Sequence, residues 1–297
     1  MKYYIDSWRF AKRKIRQMDW AKAKNMGRQF LLKTTYGQIR VLDTQEEKPP
    51  VLIIPDGPNV VEHYEGFIEK GRNDFRFIIF DLPGFGFSFH PGNYDYSFVK
   101  THQIILDLLD ALRIKKVHLA FPCAIGFYAL YFAQQVPERL GHLFLIQTPS
   151  LGEMGKWTKR IVPGSLKIPF VGQLIMPWVE NKFAKKWYDY ALPRGIDRSP
   201  FQKIALHNLK EGGSFCLCSL SQGLKRELTS DLNVDRALPA TLVYGDRDFT
   251  HRPSNFESIR QHHSEIDLIG FENCGHFPDL EFPDKFLNIL REKIHSS

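Results

Sequence analysis

The chain is poor in cysteine, in long apolar runs and in unbalanced charge outside its first residues. Each shortage excludes something. Four cysteines (Cys123, Cys216, Cys218, Cys274) in 297 residues make no disulfide framework. Cys216-x-Cys218 is too tight for a zinc ribbon, and no second pair answers it, so no metal is expected. The longest apolar stretch, Leu119 to Ala133, is interrupted by Pro122 and Gly126 and is too short to span a bilayer. The N-terminus is charged throughout and lacks the apolar centre of a secretory leader. A reducing, cytoplasmic setting is the expectation.

The charge is uneven. Residues 1–28 hold nine Lys/Arg and two acids, Asp6 and Asp19, and nine less two is the whole net charge of +7. The basic balance therefore belongs to the N-terminus, and no nucleic-acid-binding surface is expected on the rest. In residues 2–29, Ile5, Trp8, Ala11, Ile15 and Met18 recur at helical spacing with Lys/Arg on the other flanks. This reads as a basic amphipathic helix that packs on the main body, or makes a dimer contact or a peripheral membrane contact.

What the chain has in quantity is apolar and aromatic residues: 43% of it is hydrophobic, with 24 Phe. From Arg28 on, short apolar runs alternate with helical patterns. Residues 29–34 and 38–42 read as a hairpin turning at Tyr36-Gly37. Runs at 51–54, 75–80, 117–121 and 143–146 read as buried strands, with helices at 63–70 and 96–112. Alternation resumes at 240–244 and 266–269, with a helix near 253–262 and another at 284–294. The pattern predicts an α/β fold, a mostly parallel doubly wound sheet built from residues 29–149 and 233–297. Residues 150–232 lack strand runs and are dense in Trp, Tyr and Phe. They read as an inserted helical lid, broken at Pro163, Pro169, Pro177, Pro193 and Pro200.

One stretch carries chemistry. Val117 to Phe121 runs into Pro122-Cys123-Ala124-Ile125-Gly126, and an Ala-rich helical run follows at once. This is the layout of a nucleophile elbow, with Cys123 in the nucleophile's place. The helix N-terminus favours a thiolate and a developing oxyanion. Against G-x-S-x-G, Phe121 and Ile125 stand where glycines are usual, which predicts a shifted or relaxed turn. Asp248 follows one late strand and His276 follows the last. In a parallel sheet all three reach the carboxyl ends of strands, where ligands bind. His takes the thiol proton, and the acid holds its tautomer.

With these residues placed, the chain resembles the α/β-hydrolase family over about residues 28–297. Asp81-Leu82-Pro83-Gly84-Phe85-Gly86-Phe87-Ser88 is similar to its D-x-P-G-x-G-x-S loop. Gly245-Asp246-Arg247-Asp248 is similar to its acid turn, and Asn273-Cys274-Gly275-His276 to its histidine turn. The resemblance implies a Cys123–His276–Asp248 triad without a cofactor. Dienelactone hydrolases, a branch of this family, also carry Cys as nucleophile. Gln147-Thr148 leave the alternative acid position, after the strand at 143–146, without an acid.

The oxyanion loop departs from the family. Where H-G-x-P is common, this chain reads Asp56-Gly57-Pro58-Asn59. The donor position falls on Pro58, which has no N–H. That leaves the N–H of Ala124, with the side chain of Asn59 as a substitute donor. Asp56 adds negative charge that raises the Cys123 pKa if close. Two functions stay open. The first is a cysteine-dependent acyl hydrolase or acyltransferase acting on an ester, thioester or lactone of an apolar small molecule. The second is a non-hydrolytic protein of the same fold that binds a ligand or partner, or runs atypical chemistry.

Overall fold

In the computed structural model, residues 2–13 and 26–295 are described. The most apolar runs of the chain become the middle of an eight-stranded sheet. β3 (Pro50–Ile53), β4 (Arg76–Phe80), β6 (Val117–Pro122), β7 (Leu140–Ile146) and β9 (Ala240–Gly245) are largely buried on both faces, as parallel strands under two helical layers must be. The sheet order is β1-β2-β4-β3-β6-β7-β9-β10, with β1 (Arg28–Thr34), β2 (Gly37–Asp43) and β10 (Asp267–Phe271) completing it. All pairs are parallel except β1–β2 and β2–β4. The fold is the α/β, mostly parallel, doubly wound sheet that the alternation predicts.

Two cores flank the sheet. On one face Ile104, Leu108 and Leu109 of α3 (Phe98–Ala111) meet Leu130 of α4 (Gly126–Gln135). On the other, Phe67 and Ile68 of α2 (Glu65–Gly71) meet Phe286 and Leu290 of α11 (Pro283–His295), which follows the short α10 (Pro278–Glu281). The segment expected to be helical near 253–262 is a 3-10 turn, Phe256–Gln261.

The D-x-P-G-x-G-x-S loop is held by an ion cluster at the edge of this sheet. Arg40, fully buried on β2, donates through Nε to Asp81 Oδ2 at 2.7 Å and also pairs with Glu62. Gly86, at φ +50°, passes so close to Asp81 that a Cβ would overlap its carboxylate.

Between β7 and β9 the chain makes α5 (Leu151–Ile161), α6 (Gly164–Lys167), α7 (Val171–Ala191), α8 (Ser199–Lys210) and α9 (Leu217–Glu227). A two-residue strand β8 (Ser214–Phe215) ties this insertion to β5 (Phe85–Gly86). Pro177 does not end a helix as expected, because α7 runs through it. An interior proline costs about 3 kcal/mol. Burial of Met176, Ala184, Trp187 and Tyr188 along the same helix outweighs that. α1 (Lys2–Lys12) buries Tyr3, Asp6 and Phe10. The helix expected over 2–29 is shorter: α1 ends at Lys12, Met26 and Gly27 lead into β1, which already holds Arg28 and Gln29, and residues 14–25 lie outside the described residues.

Candidate active site

β6 delivers Cys123 to a turn at the carboxyl end of the sheet. Cys123 has φ +47°, followed by a 3-10 turn (Cys123–Ile125) and then α4. A non-glycine residue persists in the left-handed region only where its surroundings over-determine it. Here Thr148 Oγ1 donates to the Cys123 carbonyl at 2.9 Å. The turn is not relaxed, despite Phe121 and Ile125. The close approach falls one residue later than in G-x-S-x-G, at Gly126, where a Cβ would overlap the Thr148 side chain.

β9 and β10 deliver the acid and the histidine. His276 Nδ1 lies 2.6 Å from Asp248 Oδ2, and both residues are buried. Asp248 also accepts from the Thr250 N–H at 2.7 Å and from Gln147 Nε2 at 2.8 Å. Gln147 Oε1 in turn accepts from the Gly245 N–H at 2.9 Å. The position that lacks an acid is thus filled by an amide that fixes the acid of the neighbouring strand. Burial pushes the Asp248 carboxyl up, but the charge and hydrogen bond of His276, with His251 and Thr250, together outweigh it and hold it at about 2. Burial lowers His276, but Asp248, Cys123 and Asp56 together more than reverse this, so its pKa rises well above the ordinary value.

The other face of the imidazole is also taken. His276 Nε2 lies 3.1 Å from Asp56 Oδ2. Burial raises the Asp56 pKa, against the pull of His276. The histidine therefore stands between two buried carboxyl groups. Cys123 Sγ faces a second histidine, with His251 Nε2 at 3.7 Å. The His251 ring stacks against Trp157 at 5.2 Å and His276 at 5.4 Å. Its Nδ1 is 3.1 Å from Ser254 Oγ. Burial lowers His251 to about 3. Burial, then the Asp56 charge, push the Cys123 thiol up to about 11. Sγ and one nitrogen from each histidine lie within 4.8 Å of one another. These are the atoms that could ligate a soft cation.

A cavity of about 30 Å³ adjoins these atoms, bordered by Asp56, Cys123, Ala124, Trp157 of α5 and Trp187 of α7. Beyond Trp187 lies a second cavity of about 300 Å³, whose wall includes Arg160, Lys186 and Tyr190. The two share Ile161, Phe183 and Trp187. Trp187 also packs edge-on against the His276 ring at 5.2 Å. A larger, open and mainly polar cavity of about 560 Å³ at Asn233–Arg236 and Arg260–Ser264 is lined by none of these side chains.

The fold brings Cys123, Asp248, His276, Asp56 and Ala124 together. Asn59 is turned elsewhere, its Oδ1 accepting from the Tyr188 hydroxyl at 2.8 Å. Pro58 follows Gly57 through a cis peptide bond and does not line the small cavity. His251 and Trp187 were not singled out in the sequence, and Gln147 stood out only as a non-acid at the alternative acid position. His251 had one signal, its place three residues beyond Asp248. Trp187 had none, since its partner His276 is distant in sequence.

Residues 49–283 match the family described as alpha/beta hydrolase fold. The chain belongs to that family. It is 24% identical over 229 residues to the pimeloyl-[acyl-carrier protein] methyl ester esterase of Nitrosomonas europaea, covering 76% of this chain and 87% of that one. It is 21% identical over 277 residues to the proline iminopeptidase of Lactobacillus acidophilus, covering 87% and 94%. Among solved structures it resembles an epoxide hydrolase of Vigna radiata, with a TM-score of 0.75 at 14% identity over 92% of this chain and 99% of that one. Its class is that of a hydrolytic enzyme.

Proposed function

We propose that Cys123 is the nucleophile of an acyl hydrolase or acyltransferase acting on an ester, thioester or lactone of an apolar small molecule. One observation carries this reading: a cysteine held at φ +47° before α4, within 4.8 Å of a histidine that is itself 2.6 Å from a buried aspartate. The esterase among the relatives is in keeping with it.

The helices of residues 150–232 act as a lid in this reading. A cavity of about 30 Å³ holds little more than one water, so a substrate enters by displacing Trp187 toward the outer cavity. His276 Nε2 leaves Asp56 for Sγ, its proton stays on Asp56, whose pKa burial raises, and the freed nitrogen takes the thiol proton. The S–C bond forms, and the carbonyl oxygen becomes an oxyanion facing the Ala124 N–H. His276 then gives its proton to the leaving oxygen or sulfur as that bond breaks. Water or another acceptor removes the acyl group by the same route. No cofactor enters these steps. The four cysteines are free, which accords with a reducing, cytoplasmic setting.

A second reading is favoured by Asp56. It occupies the nitrogen that the first reading needs, and it raises the thiol pKa. In that reading Asp56 and His276 move a proton on a bound ligand and no acyl-enzyme forms. Intact-mass measurement with a chain-length series of p-nitrophenyl acyl esters separates the two. The first reading expects an acyl adduct mapped to Cys123, a preference for longer chains, and loss of turnover in Cys123→Ala. Turnover undiminished in Cys123→Ala but lost in Asp56→Asn would leave only the second.

A further inference from the structure

We propose that α6 and the outer side of α7, with α1 packed beside them, form a docking face for an anionic lipid bilayer. Exposed large apolar side chains concentrate here. Ile168, Phe170, Val171, Leu174 and Trp178 all face solvent, Leu174 at 59% and Trp178 at 88% exposure. Residues 171, 174 and 178 share one helical stripe. Phe170 is held at φ +66°, a region bulky residues avoid. Such a contiguous patch marks an interaction site rather than ordinary surface.

Charge selects the partner. Continuing the stripe, Lys182 and Lys185 are exposed four and seven residues beyond Trp178. The acids of α7 stand apart: Glu180 is buried against Arg9 and Arg13, and Asp189 lies near the far end, beside Arg198. α1 is pinned to α7 by these arginines, with Arg13 Nη2 2.7 Å from Glu180 and Arg9 Nη1 3.1 Å from the Gln173 carbonyl. α1 exposes Tyr4 and Trp8. Trp with flanking Lys/Arg suits the lipid–water interface. Lysine is depleted at protein–protein interfaces, which argues against a protein occupant. Among the described residues no helix is long and apolar enough to cross a membrane. The contact is therefore peripheral. The outer cavity is walled by the end of α5 and by α7, so docking brings that cavity toward lipid. Delivery of an acyl substrate from the bilayer rests on the function proposed above, whereas the docking does not.

Co-sedimentation of the full chain with phosphatidylcholine vesicles, with and without phosphatidylglycerol, tests this at low and high salt. Binding is expected to the anionic vesicles at low salt and to weaken at least about tenfold on neutral vesicles or in high salt. Trp178→Glu with Leu174→Glu, and separately Lys182→Glu with Lys185→Glu, are each expected to lose at least about tenfold. Circular dichroism and the rate of Cys123 alkylation should stay unchanged, and Trp178→Phe should retain binding. Equal binding to neutral vesicles, no binding, or unaltered binding by both double variants overturns the proposal. So does a dimer in sedimentation velocity that Trp178→Glu dissolves, since the face would then join two copies. Vesicle binding without acyl transfer would count against the proposed function alone, and acyl transfer without vesicle binding against the docking alone.

Discussion

At Cys123, burial and the Asp56 carboxylate oppose ionisation, while His276 favours it. Opposition wins in the closed site, and the thiol stays protonated at neutral pH. Iodoacetamide alkylation of Cys123 should therefore rise with pH toward a midpoint near 11. Asp56→Asn removes one cause of that shift and releases His276 Nε2, so the midpoint should fall and the rate at pH 7 should increase. A wild-type midpoint below that of a free thiol, or no movement in Asp56→Asn, would contradict this electrostatic account. Gln147 acts through two buried hydrogen bonds, to Asp248 and from the Gly245 N–H. Gln147→Leu strands the Gly245 N–H and should cost about 1–3 kcal/mol in urea unfolding. A loss within experimental error would mean that the amide does not anchor the acid turn.

The element that decides the geometry of Cys123 is the strand–turn–helix at Pro122–Gly126. Its tolerance is set by one contact, Gly126 against Thr148. Gly126→Ala should destabilise by about 1–3 kcal/mol through overpacking. Adding Thr148→Ala should recover part of that, because the two positions share the contact. Strictly additive losses in the double variant would show that the crowding lies elsewhere. The Asp81–Ser88 loop depends likewise on one buried cation. Replacing Arg40 with Met leaves Asp81 and Glu62 without their partner. A loss of about 3–5 kcal/mol is expected, and preserved thermal stability would count against it.

For the molecule as a whole, acid sensitivity follows from histidines folded into apolar surroundings. Burial lowers His63 and His118 to about 4, and His90, His142 and His251 to about 3. The unfolded chain protonates these groups near pH 6.5, whereas the folded chain does so only at 3–4. Their contribution is therefore complete above pH 6.5 and shrinks as pH falls through that window. Each adds up to about 1.4 kcal/mol per pH unit. His276 has the opposite sign, because its pKa is raised, and so do Asp81 and Asp279, which burial raises to about 6, and Glu281, which it raises to about 7. The histidine share is therefore read by difference: in His142→Gln the urea midpoint should fall less between about pH 6.5 and pH 5 than it does in the wild type, because one group with a lowered pKa is gone. The same pH dependence in both proteins would mean that this ring is protonated or exposed in the folded protein.

The sequence by itself determined the layers of the fold and the order in which Cys123, Asp248 and His276 come to one end of the sheet. Apolar periodicity is local, and a residue just beyond a buried parallel strand can only lie at its carboxyl end. It also exposed Asp56 and Pro58 as a departure from the usual oxyanion loop. Only the tertiary structure decided what these groups face. Asp56 meets His276 Nε2, His251 meets the Cys123 thiol, and Asn59 turns to Tyr188. Trp187 closes the site from a helix far along the chain. The continuation of α7 through Pro177 belongs here too, since a local helix breaker was overruled by burial along the rest of the helix. Such contacts join residues up to 220 positions apart. Their geometry arises from the register of the whole sheet and the packing of the insertion upon it, and no short stretch of sequence contains either.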